Sequence, residues 1–419
     1  MSSTANAKAH GPLKSVQYGR AAAFFAVTVL AAPALILAPK SMPALVGTAL
    51  LILGFAHAPS GFRDVVRQQN VVTMRFWQWP PVGKALLGSY GLLVAWMYIT
   101  LLYSPRPSSA FPDIIALVLA PLVASIFANE FVHLSKRVLV TGIIFAVMAL
   151  SLFIISENLG FTRIYLSMPH AVYINGLNRP TTTAVLLLAP LLVFCSLTER
   201  RKTAWLVMGF VLVSAAQALS ENQGSQLAMI GMLVAGFLLT LSRVWLALIL
   251  GAMGVSLILF PLLLPHLETA TQVLPAWLRQ AANLDHRFGI WNGYADLVAQ
   301  APFVGWGVEA HRHFGMIGFD LPEAFGRQVN HPHNLSLELW LNFGLVGVLL
   351  ALICLFCLYR ALRSLPLLEQ VAGLQIIVVA YVYMMSSTAI MQGWWVATLT
   401  LVGALFWVGY KLRRAAHLL

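Results

Sequence analysis

The chemistry-bearing residues of this chain gather where a long polar stretch runs into a long apolar one, at His331-Pro-His333-Asn334. An imidazole titrates near working pH, so it can take a proton from a hydroxyl and release it again. An ionisable ring at the edge of an apolar segment is costly to bury, which marks it as a functional candidate. His333 is the candidate base, and the alternative for it is a helix-start histidine bonded to backbone. His331 is its neighbour, which Pro332 can aim elsewhere. Upstream, Arg287 stands in Arg287-Phe-Gly-Ile-Trp291. A guanidinium stays charged and presents a planar fork that matches phosphate oxygens. Arg179, in Asn178-Arg-Pro-Thr181, has the same capacity, with a surface anchor as its plainer reading; Arg163 and Arg312 are further candidates of that kind.

His311-Arg-His313 and His331-Pro-His333 are two His-x-His pairs, and in extended chain such residues point the same way, so zinc is conceivable. Against it, no acidic cluster stands near them, and the interleaved arginines repel a cation. The expectation is therefore no metal. Cys195, Cys354 and Cys357 all fall within apolar runs, where packing is the expected role.

The elements that must hold these residues are membrane spans. Of the 419 residues, 59% are hydrophobic and 10% charged, whereas soluble domains carry about 25% charged residues. Twelve apolar runs approach spanning length, near residues 20–38, 42–58, 85–103, 110–131, 137–155, 180–197, 203–219, 224–241, 243–264, 337–358, 370–390 and 394–410. They are continuous rather than alternating, which excludes a β-barrel and predicts an all-α polytopic membrane protein. With the N-terminus inside, the outer segments hold Lys40, Arg106, Arg163, Arg179, Arg279, Arg287, Arg312 and Arg327, leaving 18 of the 26 basic residues inside. That division follows the positive-inside rule and predicts both termini in the cytoplasm. The net charge of +12 is thereby a matter of topology and implies no nucleic-acid partner.

One segment, 265–336, is too long for a mere connector between the ninth and tenth spans. It holds six of the eleven histidines. Asp285 can cap a helix within it that ends before Pro302, and Arg287 and Trp291, four apart, then share a side. The plainer reading of its Trp and Tyr residues is a belt at the lipid headgroups. In the tenth span Asn334, Glu338 and Asn342 lie four apart and form a polar stripe, with Gly344 and Gly347 beyond it permitting close helix contact. Glu338 either serves the site or satisfies a polar group on a neighbouring helix.

Taken in order, Arg287-Phe-Gly-Ile-Trp291, Ala301-Pro-Phe-Val-Gly305-Trp-Gly307, then His333-Asn334, nine residues and Gly344-x-x-Gly347, this pattern resembles the O-antigen ligase and polymerase superfamily. The resemblance implies a GT-C-like glycosyltransferase fold of about twelve transmembrane helices, with a helical periplasmic loop before the tenth and an active site on the periplasmic side. It implies a metal-independent enzyme without a cofactor, in a Gram-negative inner membrane. The donor would be O-antigen linked to undecaprenyl diphosphate, and the acceptor a sugar hydroxyl of lipid A–core. His333 would act as base and Arg287 at the diphosphate, with Arg179, Arg163, Arg312, Asn334, His331 and Glu338 as substrate-binding candidates. One departure stands out. Where the family often carries Ser-Arg-Gly, this chain reads Ser220-Glu-Asn-Gln223-Gly224. A neutral amide holds a diphosphate less strongly, so Arg179 or Arg163 is expected to supply that charge. The alternatives are an O-antigen polymerase, a protein O-oligosaccharyltransferase and, from another class, a lipid or glycan flippase. The last should line its spans with charge, and few acids lie near them.

Overall fold

The computed structural model describes residues 11–30, 41–57, 81–162, 170–197, 202–281, 283–313, 331–387 and 390–416. Arg163, Arg327 and the stretch 314–330 lie outside these. The described residues are all helix apart from short turns: α1 (Gly11–Thr28), α2 (Met42–His57), α3 (Pro81–Ile99), α4 (Pro107–Phe131), α5 (Lys136–Asn158), α6 (His170–Cys195), α7 (Lys202–Leu219), α8 (Gln223–Leu241), α9 (Val244–Thr271), α10 (Ala276–Ala281), α11 (Leu284–Gln300), α12 (Leu335–Arg363), α13 (Leu367–Ser386) and α14 (Gly393–Ala415). Each expected apolar run is met, wholly or in part, by a helix. Among the described residues nine helices have the length and composition to cross a membrane, and α2 and α7 are shorter apolar helices. The twelfth, α1, starts well before its apolar run, and the end of that run, 31–38, lies outside the described residues. α6 is the most deeply buried span. It packs against α5, α7, α13 and α14.

Prolines inside the spans set several contacts. A proline lacks an N–H, so the carbonyl four residues earlier loses its helical partner, and in hydrocarbon that group must be satisfied by protein. Pro121 frees the carbonyl of Leu117, and the Tyr90 hydroxyl of α3 donates to it at 2.8 Å. Pro261 frees the carbonyl of Leu257, which accepts from Ser336 Oγ at 2.8 Å and from Trp340 Nε1 at 2.9 Å. The second pair of bonds ties α9 to the first turns of α12, directly beneath His333.

α12 itself is broken. Gly344 has φ +61° and ψ −164°, outside helical geometry. A break leaves carbonyls and N–H groups without helical partners, and the segment 302–307 takes them. The N–H groups of Trp306 and Gly307 donate to the carbonyls of Leu341 (2.8 Å) and Asn342 (3.1 Å), and those of Leu345 and Val346 donate to the carbonyls of Pro302 (2.8 Å) and Phe303 (3.2 Å). Trp96 Nε1 caps the carbonyl of Phe343 at 3.1 Å. The sequence suggested that Gly344 serves helix–helix contact; it admits a loop instead. Two glycines with positive φ make this approach possible: a Cβ on Gly305 would lie 2.6 Å from the carbonyl carbon of Asn342, and one on Gly344 would collide with the backbone of Phe303.

Candidate active site at the loop-bearing end of the bundle

α11 forms where expected, but its cap differs. Asn283, in the left-handed region at φ +50°, precedes the helix, and Asp285 lies within its first turn, 3.8 Å from Arg279. Phe288 is buried, and Ile290, Tyr294, Leu297 and Val298 are buried against Leu337 and Leu341 of α12. Two indoles tether this region to its surroundings. Trp291 Nε1 donates to the carbonyl of Pro332 at 3.0 Å, and Trp306 Nε1 to that of Leu297 at 2.9 Å. Arg287 and Trp291 do share a side of the helix. One holds the chain just before His333, and the other reaches past it.

The destination of Arg287 is the C-terminal end of α13. Its Nη1 donates to the carbonyl of Ser386 at 2.8 Å. The next carbonyl, Ser387, lies 3.1 Å from His333 Nδ1. Two residues far apart in sequence thus meet consecutive carbonyls of a third element. A carbonyl only accepts, so Nδ1 carries the proton and Nε2 keeps its lone pair in the neutral ring. His333 has φ +49°, a left-handed conformation rare for a residue with a side chain. Such strain costs on the order of 1–3 kcal/mol and persists only where surroundings impose it. Here Pro332, held by Trp291, and Asn334, the cap of α12, flank it. The Asn334 side chain accepts from the Leu337 N–H at 3.1 Å. His331 packs its ring against that of His333 at 3.9 Å between centroids, and its Nδ1 accepts from the His333 N–H at 3.3 Å.

Burial governs the titration of both rings. It pushes His333 down to about 4; the bond to the Ser387 carbonyl opposes this, and Arg287 and His286 add to it. His331 falls to about 2 by burial, with the charge on His333 next in weight. Both rings are therefore neutral at pH 7. Burial also lowers the pKa of Arg287, yet a guanidinium keeps its charge.

The polar stripe of α12 faces inward as expected. The Glu338 carboxylate, 1% exposed, accepts the Ile390 N–H at 3.1 and 3.3 Å from its two oxygens. Asn342 lies against His311 Nδ1, 3.1 Å from its amide nitrogen and 3.3 Å from its oxygen. Sequence reasoning proposed Arg312 at the substrate. It lies 2.7 Å from Glu309 and 3.9 Å from Asp113. Burial raises Glu309 to about 7 against the pull of Arg312. Arg179 has its guanidinium 5.4 Å from the centre of the Trp394 ring. Gln223 is exposed at the first turn of α8. The preceding Asn222 donates to the carbonyl of Asn178 at 3.0 Å, and the following Gly224 packs against the Ser386 and Ser387 hydroxyls. Arg163 lies outside the described residues. Ser386 and Ser387 were not found by sequence reasoning, because a carbonyl carries no residue signature.

These features define a multi-pass all-α membrane protein with a cationic, histidine-bearing site where one loop roofs the bundle. The resemblance to the O-antigen ligase family is borne out: residues 208–352 match the family model described as O-antigen ligase, a span that includes Arg287, His333 and the Gly344 break. Two relatives agree. A protein of Rickettsia typhi named "Putative polysaccharide ligase" is 23% identical over 318 residues, covering 73% of this chain and 76% of its own length. Its namesake in Rickettsia felis is 24% identical over 322 residues, with 73% and 76% covered.

Proposed function

We propose that this protein is an O-antigen ligase that transfers O-antigen polysaccharide from undecaprenyl diphosphate to a sugar hydroxyl of lipid A–core. The observation that carries the reading is the convergence of Arg287 and His333 on the consecutive carbonyls of Ser386 and Ser387, at 2.8 and 3.1 Å. Glycosyl transfer from a lipid diphosphate needs a cation at the leaving group and a base at the attacking hydroxyl, both directed to one anomeric carbon. Arg287 meets the first need and His333 Nε2 the second. Arg179, joined through Asn222 to the first turn of α8, supplies the positive charge that Gln223 does not. The acceptor hydroxyl attacks as Nε2 takes its proton, the diphosphate leaves on the arginines, and the single displacement inverts the anomeric centre without a covalent intermediate.

The whole chain is read as one integral domain of the GT-C kind in a Gram-negative inner membrane. Both termini are cytoplasmic and the segment 265–336 is periplasmic, on the strength of the division of basic residues. An Asp320→Cys variant in a cysteine-free background should then react with an impermeant reagent in intact spheroplasts; labelling only after lysis overturns this orientation. The function is tested by deleting the gene and resolving lipopolysaccharide on gels. Loss of the whole ladder, with the lipid-linked polymer retained, is expected. A surviving single-repeat band means a polymerase instead.

A further inference from the structure

We propose that the C-terminal end of α13 acts as the orienting and charge-stabilising partner of His333, and that Glu338 is the positioning residue that holds it in place. The inference rests on the reading of His333 as base.

A histidine base needs a partner at its second nitrogen. That partner selects the tautomer, aims the ring and stabilises the imidazolium that forms. Here no side chain does this: the partner of Nδ1 is the backbone carbonyl of Ser387, 3.1 Å away. Ser387 is the residue that ends α13. The last carbonyls of a helix carry its partial negative charge, so a proton gained at Nε2 is stabilised by that end as it is by the carboxylate of a triad. The same terminus also holds Arg287 through the preceding carbonyl, at 2.8 Å.

A carbonyl at a helix end is a poor orienting group unless something fixes it. α13 stops at Ser386 and α14 begins at Gly393. Into this link Glu338 reaches from α12, binding the Ile390 N–H with both oxygens at 3.1 and 3.3 Å. Glu338 lies one helical turn beyond Asn334, on the helix whose start carries His333. The base and the clamp therefore share one rigid element, and the α13 end is gripped between them. The charged carboxylate is not required for this grip; an acceptor oxygen is. That separates the proposal from a role in binding a cationic or hydroxyl-bearing substrate directly.

The test is the transfer rate of purified variants with lipid-linked donor and lipid A–core acceptor, with folding followed by thermal melting in detergent. Glu338→Gln keeps an acceptor and should retain the wild-type rate within about threefold, a margin far inside the 10²–10⁴-fold worth of a general base. Glu338→Ala should lower kcat by on the order of tenfold or more while leaving the KM for donor unchanged, since the base is misaimed and the diphosphate site stays filled. Ile390→Pro removes the N–H and leaves the carboxylate; it should reproduce the Glu338→Ala loss, and the two together should be no worse than either. Should Glu338→Ala fail to fold, Ile390→Pro and Glu338→Gln decide the matter. A folded Glu338→Gln with kcat lost, or Ile390→Pro with normal kcat, overturns the proposal. His333→Ala with a normal rate overturns instead the reading on which it rests.

Discussion

The basic residues at the two ends of the helix bundle meet different sets of partners. At the end away from the loop, cations meet carboxylates. Arg20 and His57 both contact Glu130, at 2.8 and 3.2 Å, and Arg413 contacts the fully buried Glu369 at 2.6 Å. These pairs join α1, α2 and α4, and α13 to α14. At the loop-bearing end Arg312 pairs with Glu309 at 2.7 Å, while Arg287 donates to a backbone carbonyl, Arg179 lies over an indole face, and the rings of His331 and His333 pack against one another. An arginine held by a carboxylate is a structural staple. One that reaches a backbone carbonyl with a single nitrogen has further donors that can face an anion. The comparison teaches that basic residues of the same type, in the same chain, separate into structure and site by what holds them.

The strongest way to break that contrast is His333→Ala. Loss of a general base should cost on the order of 10²–10⁴-fold in transfer rate, with the protein folded and donor still bound. A rate within about threefold of wild type, well inside that range, would falsify the assignment and leave His333 a helix-start residue. The pH profile sharpens the same point. The base form is the neutral ring, and burial holds its pKa at about 4, so kcat/KM should fall only as pH drops toward 4. An acidic limb at the ordinary histidine value would mean that the ring is not buried in the working enzyme. Stability follows the same sign. Between the ordinary histidine pKa and about 4 the unfolded chain binds more protons than the native one, so acidification through that window destabilises the fold.

Arg287 comes next. Arg287→Ala should remove transfer, and Arg287→Lys should restore little, because an ammonium lacks the planar fork and cannot keep the Ser386 contact while holding phosphate. Arg179→Ala should be milder, raising the KM for donor more than it lowers kcat. Near-normal transfer by Arg287→Ala would place the diphosphate elsewhere.

The opposite end predicts the reverse pattern. Arg413→Met strips the partner from Glu369, whose side chain is fully buried. Breaking such a pair costs about 3–5 kcal/mol. Melting in detergent should fall while the rate per folded molecule stays unchanged. A variant with normal stability and lost transfer would show that the two ends are not separable as argued.

These expectations also show which parts of the molecule were legible beforehand. The helices were, because hydropathy over a span's length is a local signal; His333 and Arg287 could be proposed because their side chains advertise their chemistry. The break at Gly344 was not. Its glycine was visible, but its partners lie about forty residues upstream, and only a folded chain shows that Pro302 to Gly307 complete its hydrogen bonds. The Ser386–Ser387 carbonyls were invisible for a deeper reason: every residue has a carbonyl, and only geometry selects these two. The pairing of Arg312 with Glu309 was not legible either, because Glu309 lies only three residues before it and the burial that makes that pair matter is a tertiary fact.

The smallest expected effect concerns metal. Two His-x-His pairs invite a zinc reading, and the structure shows what their nitrogens do. His331 Nδ1 accepts from the His333 N–H, His333 Nδ1 meets the Ser387 carbonyl, His311 Nδ1 faces Asn342, and His313 Nε2 lies 3.3 Å from the Ser109 hydroxyl. Among the described residues no three His, Cys, Asp or Glu side chains gather as ligands. A catalytic zinc would need three protein ligands and an open position, and it would sit against Arg287 and Arg312, whose charge opposes it. The base mechanism needs no Lewis acid, since the leaving diphosphate is stabilised by guanidinium. Purified enzyme should therefore transfer at its full rate in excess chelator, and elemental analysis should find no stoichiometric zinc. Activity lost to chelator and restored by one particular metal would turn the histidines into ligands. The neutral rings that now distinguish this end of the bundle would then be neutral because a metal holds them.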